Sequence, residues 1–151
     1  MGHQRELRTR LELPLARERA FPWFANAANL LVAAPPELHV EIVPPLPGTM
    51  DQGALIRYRL RLMGVRFRWV TRITRWDPPR EFVGEQVEGP YRSWVHRHLF
   101  VETSFGCRVH DSVLYELPLY PLGELAAPLV AMQLRRIFAC RARAIARALG
   151  D

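Results

Sequence analysis

Two histidines and an aspartate carry most of the chemistry this sequence offers. His96 and His98 stand two residues apart within Ser93 to Glu102, where Trp94, His96, His98 and Phe100 share one face if the chain is extended. Asp111 shares a face with Cys107, Val109, Val113, Tyr115 and Leu117 in the following stretch. Taking Thr103 to Gly106 as a four-residue loop sets Glu102 against Cys107, Phe100 against Val109, His98 against Asp111 and Trp94 against Tyr115. That register predicts an inward carboxylate beside an inward imidazole. Burial requires such a pairing, because an unpaired buried charge costs several kcal/mol.

A pair of this kind has three uses: to brace a core, to anchor a ligand, or to move a proton. Used as a catalyst, His98 held by Asp111 would be the base, with Tyr58 or Tyr115 polarising a carbonyl or enolate, so the catalytic set would be His98, Asp111 and Tyr115. Two histidines plus a carboxylate also match a metal-binding triad. No Cys or His at ligand spacing supports that use, and neither a metal nor a cofactor is expected. The sequence has no Ser/His/Asp order, phosphate loop or glycine-rich dinucleotide motif to suggest other chemistry.

The inward positions of the neighbouring extended stretches predict a wall of Tyr58, Trp69, Gln86, Tyr91, Trp94, His96, His98, Asp111 and Tyr115. Large aromatics with few polar groups suit an apolar ligand pocket, although the same rings can simply fill a core.

Elements that position these residues follow from periodicity. Leu7 to Leu13 alternates as a half-buried strand, and Pro14 ends it. Ala16 to Asn26 and Asn26 to Ala33 predict two short helices, the first limited by Pro22 and the second stopped by Pro35 and Pro36. Extended stretches are expected at Leu38 to Val43, Ala54 to Met63, Val65 to Trp76, Glu81 to Val87, Ser93 to Glu102 and Cys107 to Leu117. Proline- and glycine-bearing turns separate most of them, including 44–48, Gly64, Asp77-Pro78-Pro79 and Gly89-Pro90. Short connections of this kind make an antiparallel meander of seven strands. Leu122 to Leu149 changes to helical period, with Val130, Leu134, Phe138, Ile145 and Leu149 on one stripe and arginines expected off it. This helix is the only element long enough to cover the sheet.

Composition limits the remaining readings. A chain of 151 residues with 49% hydrophobic and 24% charged residues is expected to form one globular domain. No apolar run approaches the ~20 residues of a spanning helix, and Met1 to Leu13 lacks a secretory h-region, so a cytoplasmic location is expected. Cys107 and Cys140 lack disulfide or zinc spacing and read as small buried hydrophobes. The net charge of +6 comes from arginine alone, which GC-rich codon usage produces without a polyanionic partner. Nucleic acid is therefore not an expected partner, while a peripheral membrane contact stays open. Arg57, Arg59 and Arg61 in one strand, with Arg66, Arg68 and Arg72 in the next, are expected on the solvated outer face.

An ordered set of short motifs spans nearly the whole chain: Arg17-Glu18-Arg19-Ala20-Phe21 with Asn29-Leu30, Trp69-Val70-Thr71-Arg72-Ile73, Asp77 to Val83, Glu85-Gln86, Gly89-Pro90-Tyr91, Trp94-Val95-His96 and Asp111 to Pro118. In that order the sequence resembles the SRPBCC or START-like superfamily, in its cyclase/dehydrase-type ligand-binding branch. The resemblance implies an α+β helix-grip fold: a seven-stranded curved antiparallel sheet over a long C-terminal helix, with two short helices after the first strand. It also implies binding or carriage of an apolar small molecule or lipid between sheet and helix, or a polyketide cyclase/dehydrase-type activity in the same cavity. Relatives carry a Gly-Gly-Thr turn before the last strand, where this chain has Phe105-Gly106-Cys107.

Overall fold

The computed structural model describes residues 3–45 and 50–150. The turn expected at 44–48 therefore lies in part outside the described residues. Seven antiparallel strands form one sheet: β1 Gln4–Leu13, β2 Glu41–Val43, β3 Leu55–Leu62, β4 Val65–Asp77, β5 Glu81–Glu88, β6 Ser93–Thr103 and β7 Gly106–Glu116. Their spatial order is β1-β7-β6-β5-β4-β3-β2, so β1 closes onto the last strand while the others follow as hairpins. Two short helices, α1 Arg17–Phe24 and α2 Ala27–Ala33, follow β1, and the long helix α3 Ala127–Leu149 closes the fold. This is the helix-grip arrangement.

Local chemistry accounts for the elements. Asn26 separates α1 from α2 by accepting the Ala28 N–H at 3.0 Å, satisfying a donor that the helix start would leave unpaired. Asn29 donates back to the Trp23 carbonyl at 3.0 Å and ties the two helices together. Pro35 and Pro36 end α2 as expected, but Pro36–Leu38 turns as a short 3₁₀ segment. β2 consequently begins at Glu41 rather than Leu38, because a proline pair cannot feed a strand ladder. Leu122–Ala126 is likewise 3₁₀, so the long helix begins one turn later than its period suggests, with Pro128 in its first turn where a missing N–H costs nothing. β4 slips register against β5 between Val70 and Thr71 and again between Ile73 and Arg75, and such irregularities bend a strand.

The buried face carries two apolar clusters. Phe21, Phe24, Phe82, Phe100, Ile56, Ile73 and Ile145 pack where α1 and the end of α3 meet the sheet. Tyr91, Val113, Tyr115, Leu134 and Phe138 pack under the middle of α3, joined by half-buried Trp69 and Trp94. On the outer face Arg57, Arg59, Arg66, Arg68 and Arg72 are exposed and Arg61 is half-buried, with Arg59 directly opposite Arg68 and Arg61 opposite Arg66. No helix among the described residues is long and apolar enough to cross a membrane.

Candidate functional site

The β6–β7 hairpin sets His98 opposite Asp111, Phe100 opposite Val109 and Trp94 opposite Tyr115. This is the register that alternation predicts, although the connection is tighter than expected. Thr103 pairs with Gly106, leaving Ser104 and Phe105 as the turn. One residue on each strand has moved from loop to ladder, so every side chain keeps its face.

Asp111 has three partners rather than one. Its Oδ1 accepts from His96 Nε2 at 2.7 Å and lies 3.2 Å from His98 Nδ1. The closer imidazole is thus His96, not the directly opposed His98. The third partner is Arg141 of α3, whose Nη1 stands 3.0 Å from the same oxygen and whose Nη2 is 3.4 Å from His98 Nδ1. Arg141 corrects the expectation that arginines lie off the apolar stripe: it sits three residues after Phe138 and four before Ile145, on the buried face. Its guanidinium lies over the rings of Phe24 and Phe138, 5.7 and 5.6 Å from their centroids. Such faces accept a delocalised cation. The two imidazoles stack on each other at 3.8 Å, and Phe82 stacks on His98 at 4.1 Å.

Burial and charge together set the protonation of this quartet. Burial disfavours the imidazolium of His98, the adjacent His96 adds to that, and the pull of Asp111 does not compensate, so its pKa falls to about 3. His96 is also lowered, again chiefly by burial and against the hydrogen bond to Asp111. For Asp111 burial acts in the opposite sense, but the Arg141 cation and the bonds from both imidazoles overcome it and hold the carboxyl well below its ordinary range. At neutral pH the quartet therefore contains one cation, one anion and two neutral rings. His96 turns its Nε2–H to the carboxylate, while His98 Nδ1 lies between Asp111 Oδ1 and Arg141 Nη2, donating to the first in one tautomer and accepting from the second in the other.

Two chambers meet at these residues. One, of about 130 Å³, is lined by Phe24, Ile56, Ile73, Phe82, Gly84 and His98 among others. The second, of about 220 Å³, is lined by Leu38, Leu60, Leu62, Trp69, Tyr91 and Leu134 among others. Tyr58, Trp94, His96 and Arg141 line both. Burial pushes the Tyr58 phenol up to about 12 and raises that of Tyr91 as well, so both stay protonated.

Of the nine wall residues expected from sequence, Tyr58, Trp69, Tyr91, Trp94, His96 and His98 line the chambers. Asp111 stands behind the imidazoles. Gln86 turns away to the backbone of Tyr91, donating to its carbonyl at 2.7 Å and accepting its N–H at 3.2 Å. Tyr115 is buried in the cluster under α3, its ring centroid 5.8 Å from that of Tyr91 and 6.2 Å from that of Trp94. His96, His98 and Asp111 hold ligating atoms within 4.8 Å of one another. Arg141 already occupies the electrostatic place a cation would take beside that carboxylate.

No family model matches this sequence and no curated protein does. Solved structures do match in shape. An aromatase/cyclase, Zhui from Streptomyces sp. R1128, superposes with a TM-score of 0.75 at 15% identity, over 95% of this chain and 92% of that one. A point mutant of norcoclaurine synthase from Thalictrum flavum, in complex with a transition-state analogue, gives 0.71 at 14% identity over 99% and 96%. The major latex-like protein 151 of Panax ginseng gives 0.66 at 14% identity over 98% and 99%. The chain has the helix-grip fold. At these identities the likeness is one of fold. Within that helix-grip frame the Asp111, His96, His98 and Arg141 quartet is described from this chain's own geometry.

Proposed function

We propose that this protein binds or carries an apolar small molecule or lipid between its sheet and α3. The observation that carries this reading is the pair of adjoining chambers, walled mainly by aliphatic and aromatic side chains, with His96, His98 and Arg141 as their titratable lining alongside the phenols of Tyr58 and Tyr91. Each chamber alone is small: a void of about 150 Å³ holds a benzene ring. A ligand that spans the shared wall of Tyr58, Trp94, His96 and Arg141 uses both. The fold neighbours agree with the general class, and the two cysteines, both free, suit a reducing cytoplasmic setting.

Native mass spectrometry of gently purified, untagged protein tests this reading. A stoichiometric adduct whose extract is an apolar compound supports it. Protein that is uniformly ligand-free and gains no mass from a library of hydrophobic compounds contradicts it.

A second reading rests on one specific observation. His98 lines the smaller chamber as a neutral imidazole 3.2 Å from Asp111, so a bound carbonyl compound would meet a proton-transfer group beside the Arg141 cation. That arrangement favours a cyclase/dehydrase-type proton transfer, and the aromatase/cyclase among the fold neighbours has the same architecture. A His98→Gln variant that still binds a ligand but stops converting it would support catalysis.

A further inference from the structure

The quartet's charge balance says what kind of polar end a ligand brings. Among the described residues Arg141 is the only cation lining the two chambers, and its side chain is 11% exposed. A guanidinium carries five N–H donors. The partners recorded for Arg141 are Asp111 and His98, so donors are left over where the two chambers join. Its charge, however, is already spent: the Asp111 side chain, itself 7% exposed, neutralises it at 3.0 Å. The two rings beside it are neutral and add no charge. The junction therefore offers unused hydrogen-bond donors without net positive charge.

Resting on the reading that the chambers hold a small molecule, we infer that Arg141 anchors an uncharged oxygen acceptor, a ketone or quinone carbonyl on an apolar ring system, and that Asp111 makes the same site reject carboxylates. An uncharged carbonyl gives up one hydrogen bond to water and regains one from a cationic donor, which is stronger than a neutral bond. A carboxylate must shed far more hydration and then sit beside a buried carboxylate with no uncompensated cation to meet it. Selectivity thus comes from Asp111, a residue that lines neither chamber.

Three compounds with one bicyclic ring system test the inference: 2-ethylnaphthalene, 2-acetylnaphthalene and 2-naphthoate, titrated at pH 7.5 against the fluorescence of Trp69 and Trp94. The expected order in the wild-type protein is ketone, then hydrocarbon, then carboxylate, each step on the order of tenfold in affinity. Arg141→Met should remove the advantage of ketone over hydrocarbon. Asp111→Asn, which keeps the shape and frees the cation, should reverse the order of ketone and carboxylate. Thermal melts establish that each variant is folded; if either is not, the wild-type order decides alone. Equal binding of ketone and hydrocarbon, or carboxylate binding as tight as ketone, overturns the inference and leaves the binding reading standing. Failure of all three compounds to bind overturns both.

Discussion

Two carboxylates in this protein are buried to the same extent and are neutralised in different ways. Glu81 and Asp111 are each 6% exposed. Glu81 lies on the outer side of β5, clamped between Arg75 and Arg97, whose own side chains are 61% and 52% exposed. Asp111 lies on the inner side of β7, held by the half-buried Arg141 and His96 and the buried His98. The outer carboxylate pins neighbouring strands together, with water free to solvate its partners. Around the inner one, nothing but the quartet and the chambers can satisfy a donor or acceptor, so every polar group there is either paired or available to a ligand. Location relative to the cavity, and not burial, separates a structural ion pair from a candidate site.

The comparison can be broken most sharply by deletion. Asp111→Ala leaves the Arg141 guanidinium buried without its counter-ion and should lower unfolding free energy by about 3–5 kcal/mol in urea titration. Glu81→Gln strands two arginines that already reach water and should cost only about 1 kcal/mol. Equal costs would show that the two carboxylates serve the same structural purpose. Arg141→Met combined with Asp111→Leu removes both charges together and should recover much of the loss, because a neutral apolar pair has nothing to desolvate.

Acid titration sharpens the same contrast. His98 has a folded pKa near 3, below the ~6.5 of an unfolded histidine, so between those values the unfolded chain binds a proton that the folded protein refuses. Stability attributable to His98 is thus full above about pH 6.5 and declines as pH falls, by roughly 2 kcal/mol per such group between pH 6.5 and 5. His96 shifts in the same direction and adds to the decline. Urea midpoints measured from pH 7.5 to 5 should fall steeply for the wild type and less steeply for His98→Gln. An unchanged slope in the variant would show that the imidazole protonates freely in the folded state.

Smaller effects are expected at the chamber walls. Gly84 lines the smaller chamber opposite His96, and a Cβ there would stand 2.9 Å from Thr71 Cγ2. Gly84→Val should narrow that chamber and weaken ligand binding about tenfold by calorimetry, at a stability cost on the order of 1 kcal/mol. Gln86→Ala releases the Tyr91 backbone from its two hydrogen bonds and should chiefly speed ligand dissociation, by a few-fold in stopped-flow fluorescence, as the wall of the larger chamber loosens.

Much of this architecture is legible in the sequence because it depends on local periodicity. Strict alternation around His98 and Asp111 gives the hairpin register whatever the turn length, provided the loop changes by one residue on each side. Arg57, Arg59, Arg66, Arg68 and Arg72 take the outer face for the same reason. Arg141 is the instructive omission. Its place at (i, i+3) from Phe138 and (i, i−4) from Ile145 marks it as facing inward, yet arginine on a surface helix is ordinarily solvated. Only the approach of α3 to β7 pairs it with Asp111, a contact that no local pattern encodes. Gln86 shows the converse: alternation places it inward, but its amide is claimed by the backbone five residues on.

The central claim is that the joined chambers hold a small apolar molecule against the quartet, and methyl-resolved NMR of the protein titrated with 2-acetylnaphthalene tests it most directly. The account predicts saturable shifts concentrated on Ile56, Ile73, Leu134 and Ile137, which line the two chambers. Shifts that do not saturate, or that fall on exposed Leu119, Leu125 and Met132 while those four stay unmoved, would contradict it.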